Sequence, residues 1–313
     1  MRRRGNFTTS ELVLSCLSFS EKFTILRKGI ANTSHIAKQV GYKGIRPTPF
    51  LAGFITIAIT LLSFSSPAQS TGNKLDVVVI DAGHGGKDPG TRGAYTKEKD
   101  IALKVSLKLG ALISENMKDV KVLYTRSKDV FIDLDKRAKF ANDNHADVFI
   151  VIHLNSLPET TPDARKQSIM GAETYVMGLH KSDANFEVAK RENSVIFTEE
   201  NYQDKYEGFD PNSPESYILI NLNQSANQES SLLLASKIDS QLKTKAGRKG
   251  RGVKQAGFLV LWQTTMPSVY CEIGYLSNTK EEKELNDPKV QESIAAAIYR
   301  ALKDYKAQVD LIN

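Results

Sequence analysis

His84, His153 and Glu272 each stand where an apolar run of the 313-residue chain gives out. His84 lies in the glycine-rich stretch DAGHGGKDPG (81–90), His153 ends VFIVIH, and Glu272 ends SVYCE. Ligand sites in open α/β sheets lie at the carboxyl ends of strands, so three such residues converge on one rim. Imidazole and carboxylate groups gathered there are the groups of metal binding and proton transfer. The glycines around His84 let the backbone fold tightly beside a ligand. They do not make a phosphate cradle, because Asp88 follows Lys87 where the GxxxxGK motif requires Ser or Thr. Glu98, 14 residues after His84, opens a helical stretch, where a carboxylate by itself complements the helix dipole. His145 reads as a helix-end residue and His180 as surface, while Asn155 is a candidate for orienting substrate. Cys271 points to the face opposite Glu272 as a small packed residue. With Cys16 it makes only two cysteines, which excludes a disulfide framework and a thiolate zinc site.

The elements that must position these residues follow from periodicity. Strands are expected at 75–80, 120–125, 148–154, 172–177, 253–261 and 268–272, and helices at 100–116, 134–144, 184–197, 218–242 and 291–306. A polar, acidic loop is expected at 198–214 and a basic, turn-rich connection at 243–252. The alternation of strand and helix predicts a single α/β domain, a mainly parallel twisted sheet with helices on both faces.

The formal charge of +6 invites a nucleic-acid reading, and its distribution removes it. Residues 1–70 hold 9 of the 42 Lys and Arg and 2 of the 36 Asp and Glu, leaving 33 basic and 34 acidic residues beyond them. Within 1–70, an uncharged run of about 15 residues follows the basic stretch and leads to Pro67-Ala68-Gln69-Ser70. This has the order of a signal peptide and is short for a spanning helix of roughly 20 residues. The expected organisation is a signal peptide at 1–70, with membrane contact only through that leader if it stays uncleaved, and a catalytic domain at 71–313. The expected location is periplasmic or secreted.

Several ordered motifs carry a resemblance. The stretch at 81–90, EKDIALKVSLKLGALI, VIHLNS, GAETYVMG, RGVKQAGFLVL and MPSVYCEIGYLSN together resemble the zinc-dependent N-acetylmuramoyl-L-alanine amidases of the type 3 family, over about 77–306. The resemblance implies a phosphorylase/hydrolase-like α/β fold, zinc held by His84, Glu98 and His153, and Glu272 in catalysis. Three protein ligands leave a fourth position for water, the mark of a catalytic zinc site. The implied reaction is hydrolysis of the amide between N-acetylmuramic acid and L-alanine in peptidoglycan, for wall remodelling and daughter-cell separation.

The resemblance also implies an inserted segment, at 181–220, that covers the zinc until an activator protein removes it. Its carboxylates Glu199, Glu200, Asp204, Glu207, Asp210 and Glu215 are the candidates to fill the open position, against the alternative of a solvated loop. Two other functions compete: a zinc peptidase acting on stem peptides, which lacks its HxxE pair because Lys87 stands at the Glu position, and a catalytically silent wall-binding or activator protein.

Overall fold

A computed structural model describes residues 74–221 and 227–312. The apolar runs form β1 (Val77–Ala82), β2 (Lys121–Tyr124), β3 (Val148–Asn155), β4 (Ala172–Met177), β5 (Gly250–Ala256) and β6 (Ser268–Tyr275), in one sheet of order β2-β1-β3-β6-β4-β5. Every neighbouring pair is parallel except β4 with β6, so β4 and β5 run against the other four. All residues of β3 and β6 are buried, as expected of central strands covered on both faces.

The helices are α1 (Glu98–Asn116), α2 (Leu134–Asp143), α3 (Asp163–Ser168), α4 (Asp183–Asn193), α5 (Tyr202–Lys205), α6 (Pro214–Asn221), α7 (Gln228–Lys245), α8 (Leu259–Trp262), α9 (Thr279–Leu285) and α10 (Pro288–Ile312). On one face of the sheet α1, α7 and α10 bury residues such as Ile101, Leu109, Ile238 and Ile298 against Ile150 and Cys271. On the other, α2, α4 and α8 meet Phe149, Tyr175 and Tyr270. Alternation along β6 sends Cys271 into the first core and Glu272 to the opposite side, where burial would push the inward thiol's pKa up and keep it unreactive.

Four expectations change. The run expected as one strand over 253–261 stops at Ala256, turns at Gly257 and finishes as α8, because a short buried apolar run has no period that separates strand from helix. The stretch expected as one helix over 218–242 is α6 and α7. The stretch expected as a loop over 198–214 contains α5 and buries Tyr206 and Phe209 in the second core. The basic connection over 243–252 shrinks, since α7 runs on to Lys245 and β5 begins at Gly250. Among the described residues no helix is long and apolar enough to cross a membrane; the expected signal peptide lies outside them.

Candidate metal centre

Beyond β1 the chain passes Gly83 so close to β3 that a Cβ there would fall on the His153 imidazole. His84 then adopts a φ of 59°, in the left-handed region that side chains avoid and that recurs at functional sites. Two buried arginines hold this turn. Arg126 donates to the carbonyls of Ala82 and Gly83 at 2.8 and 2.7 Å, and Arg137 to those of Ala82 and His84 at 3.0 and 2.9 Å. Sequence reading passes over both, although Arg137 carries a signal. It shares the core-facing side of α2 with Ala138 and Ala141, where an arginine needs buried partners.

The His84 ring is oriented by Asp88, whose Oδ2 lies 2.7 Å from Nδ1. A proton on Nδ1 shared with Asp88 leaves the Nε2 lone pair facing inward, the usual way a carboxylate fixes a ligating imidazole. Gly90, at a φ of +65°, keeps the chain clear of His84 and Glu98, both of which a Cβ would strike. Glu98 is the first residue of α1 and is fully buried. Its Oε1 accepts from the Leu154 amide and its Oε2 from the Thr91 amide, each at 2.8 Å. His153 stacks on Tyr270 with ring centroids 4.4 Å apart, which leaves Nδ1 directed at the same point.

A fourth residue completes the cluster. Glu192, near the end of α4, places Oε2 3.3 Å from His84 Nε2 and 3.0 Å from His153 Nδ1. Glu98 lies 3.1 and 3.0 Å from the same two nitrogens. Despite these distances His84 Nε2, His153 Nδ1 and Glu192 Oε2 are buried with no properly directed hydrogen bond. Lone pairs gathered without donors are what a cation at their centre would satisfy. Burial works to hold the His84 pKa down, yet Glu98, Asp88 and Glu192 outweigh it and raise it well above the ordinary imidazole range. Burial likewise pushes Glu98 up, and His84 and His153 still bring it down to about 2. Two ionised carboxylates and two imidazoles match a divalent ion, and the N and O donor set suits zinc.

The structure therefore brings His84, Glu98 and His153 together and adds Glu192, which the sequence reading placed merely in a helix. A signal was present: an acidic side chain in the last turn of a helix opposes the dipole and needs some other partner. The carboxylates expected to plug the site are elsewhere. Glu199 lies at the start of α2, accepting from the Leu134 amide at 3.0 Å and from the Tyr206 hydroxyl at 2.7 Å. It comes close to Asp133 and Asp135, but Lys205 and those donors already satisfy the group. His145 is exposed, and His180 packs against Phe186 and Tyr217, away from the cluster.

Glu272 stands outside the ligand set and beside it, paired in register with His153 across β3 and β6. Neither carboxylate oxygen has a hydrogen-bond donor, and the nearest cation, Arg191 Nη2, is 3.6 Å away. Burial and the charges of Glu192, Glu98 and Glu173, opposed by Arg191, raise its pKa well above the carboxylate range. Arg191 itself donates to Glu192, to the Ser156 carbonyl and to Asn155 Oδ1, tying the end of α4 to the end of β3. The space left against His84, His153 and Glu192 is about 10 Å³, room for one water at most and none for a substrate.

Asp88→Ala should weaken divalent-metal binding by about 10- to 100-fold while the fold survives, because the carboxylate that orients the His84 imidazole is lost. Competition with a chromophoric chelator measures this. Unchanged affinity would mean that Asp88 does not orient His84.

The profile of the family described as N-acetylmuramoyl-L-alanine amidase matches residues 78–304. The chain is 31% identical to the amidase AmiA of Escherichia coli K12 over 76% of this chain and 78% of that one. It is 29% identical to the amidase AmiC of Escherichia coli O6:H1 over 77% of this chain, but spans only 55% of that relative's length. Among solved structures it resembles the CwlD amidase of Clostridioides difficile, determined in complex with the GerS lipoprotein. The TM-score is 0.54 and the identity 26%, covering 75% of this chain and all of that one.

Proposed function

The chain belongs to the N-acetylmuramoyl-L-alanine amidase family and is a peptidoglycan amidase, and on that premise we propose that it is a zinc enzyme whose own α4 holds it shut. The bond cleaved is the amide between the lactyl group of N-acetylmuramic acid and L-alanine. His84, Glu98 and His153 hold the zinc, and Glu272 moves the proton. The observation that carries this reading is the set of buried, donorless ligand atoms on two strand ends and one helix, His84 Nε2, His153 Nδ1 and Glu192 Oε2, gathered with Glu98.

Zinc bound there supplies a Lewis acid for the substrate carbonyl and acidifies water. Glu272, one strand over and free of hydrogen bonds, takes the proton from the attacking water at a carboxylate oxygen. It then delivers that proton to the departing amine of L-alanine. Its pKa, raised by burial and by the neighbouring carboxylates, suits the second duty, since such a carboxyl group holds its proton more firmly than an ordinary one until the leaving nitrogen takes it.

With a metal bound, Glu192 would be a fourth protein ligand, at the position a catalytic water needs. The closed state is thus a property of the residues at 181–220, with Glu192 as the plug. Val188, Ala189, Ile196 and Tyr206 of this segment are buried in the second core, so it is a packed part of the domain and must be pulled away. An activator is the natural agent, and the amidase–lipoprotein complex named above provides a precedent for a partner. The residues at 1–70 fit export to the periplasm or cell exterior, and the enzyme then serves wall remodelling and daughter-cell separation.

The test is to incubate the zinc-loaded wild-type and Glu192→Ala chains with a defined muropeptide and identify both new ends by mass spectrometry. The expected products are a free amine on L-alanine and a free lactyl carboxyl. Cleavage between two amino acids would replace this reading with a peptidase.

A further inference from the structure

Beyond the metal centre lies a second polar cluster, assembled by two irregularities of the sheet. Glu173 on β4 pairs in register with Glu272 on β6, which pairs with His153 on β3, so the three share one face in adjacent strands. Glu173 is 1% exposed and yet takes five donors. Its Oε2 accepts from the Tyr175 hydroxyl at 2.6 Å and Asn155 Nδ2 at 3.2 Å. Its Oε1 meets the Tyr275 hydroxyl at 2.8 Å, Arg251 Nε at 2.6 Å and Lys254 Nζ at 2.7 Å.

Strict alternation forbids that last trio. Residues 251 and 254 of β5 fall on opposite faces of a regular strand, as do residues 272 and 275 of β6. The register between β4 and β5 slips between Ala172 and Thr174, where β5 carries an extra residue and Gly252 holds a φ of +83°. A matching slip in β6 lies between the partners of His153 and Asn155. Each bulge turns one side chain onto the face of Glu173, the service bulges commonly perform beside active sites.

The outcome is two cations on one buried carboxylate, hence one positive charge in excess at the rim. Burial works against ionisation of Glu173, but Lys254, Tyr175 and Arg251 hold its pKa down at about 2, so it carries its charge at neutral pH. Arg251 and Lys254 remain 28% and 22% exposed at the side chain. Only Nε of the Arg251 guanidinium is bonded among the described residues, which leaves its two terminal nitrogens as a fork for a carboxylate.

We propose that Arg251 and Lys254, seated on Glu173, form a subsite for a free carboxylate of the stem peptide. This rests on the amidase reading. Glu173 stands two strand spacings from His153, about 10 Å, and Arg251 and Lys254 on the next strand bring their cationic groups within 2.7 Å of its carboxylate. An extended peptide covers that distance in about three residues. The carboxylate bound is therefore one carried two to three residues beyond the cleaved amide, and the subsite sets how the peptide side of the substrate is aligned.

The test uses a free stem tripeptide with carboxylates and its carboxamide counterpart, titrated calorimetrically into the zinc-loaded Glu192→Ala chain, with kcat and KM on the corresponding muropeptides. The carboxylate peptide should bind at least about 10-fold more tightly, one charge-assisted pair's worth. Adding Arg251→Gln and Lys254→Gln should erase the preference and raise KM with little change in kcat. Because Glu173 would then be a buried charge without cations, the same variant with Glu173→Gln provides a neutral cluster that keeps its hydrogen-bonding groups, and it too should show no preference. Equal binding of the two peptides by the parent, or a preference surviving in the neutral variant, would overturn the subsite. Binding reads the subsite without any bond being cut: preference without muramoyl–alanine cleavage leaves it standing and removes the amidase reading.

Discussion

Glu192→Ala should switch the enzyme on without a partner. In the closed state Glu192 Oε2 lies within 3.3 Å of both histidine nitrogens, and Arg191 secures the same turn of helix to Ser156 and Asn155. Truncating Glu192 does two things. It frees the fourth ligand position for water, and it removes one link that keeps α4 against the site. If that link biases the closed state by about 3 kcal/mol, its loss shifts the open population roughly 100-fold. The expected result is a gain of that order in dye release from labelled peptidoglycan, at unchanged protein concentration and with metal content verified. Three protein ligands remain, so zinc should stay bound. Activity that is flat or lower in a fully zinc-loaded variant would mean that Glu192 is an ordinary ligand and that closure lies elsewhere. Deleting 198–214 is the poorer experiment, because Tyr206 and Phe209 belong to the second core and their loss would unfold the segment's anchor.

The parts of this site that were legible in the sequence are those that depend on strand ends. His84, His153 and Glu272 each follow a buried apolar run, and such runs announce both the strand and the place where it stops. Glu98 was harder, since a first-turn carboxylate has a sufficient local explanation in the helix dipole. Glu192 was not found because its role is set by where α4 docks, and periodicity reports only that α4 is a helix. The Glu173 cluster escaped for a different reason. Arg251 and Tyr275 reach it only through bulges, and a bulge breaks the two-residue alternation from which facing is inferred. The end of β5 and the start of α8 share an apolar run too short to show either period. In each case the missing information is tertiary, and glycine was the trace it left: Gly252 in the bulge, Gly257 at the break, and Gly83 where β1 passes over His153.

Glu272→Gln should abolish hydrolysis, keep the metal and stabilise the fold. Loss of the proton carrier costs about 10²- to 10⁴-fold in kcat. Zinc content should equal wild type because Glu272 is not among the ligand atoms, whereas His84→Ala should lose both metal and activity. The stability change follows from the sign of the Glu272 shift. Its folded pKa lies well above the ordinary carboxylate value, raised by burial and by neighbouring carboxylates. The protonated form is therefore the one that folding favours, and that contribution is complete below pH of about 4.5 and lost as pH rises through the folded value. At neutral pH the wild-type chain must bury a carboxylate that no donor satisfies or bind a proton to avoid it. A neutral amide removes this penalty, and a gain on the order of 1 kcal/mol corresponds to roughly 2–4 °C in Tm at this domain size. The comparison belongs on metal-free protein, because a bound divalent ion favours the ionised carboxylate and narrows the difference. The gap in Tm should close as pH falls toward 4. In the active Glu192→Ala background, hydrolysis should rise with pH as Glu272 loses its proton, and the Gln variant should lack that rise. A Gln variant that hydrolyses normally would transfer the proton to another group, and one that is less stable at neutral pH would mean that the Glu272 carboxylate has a donor in solution.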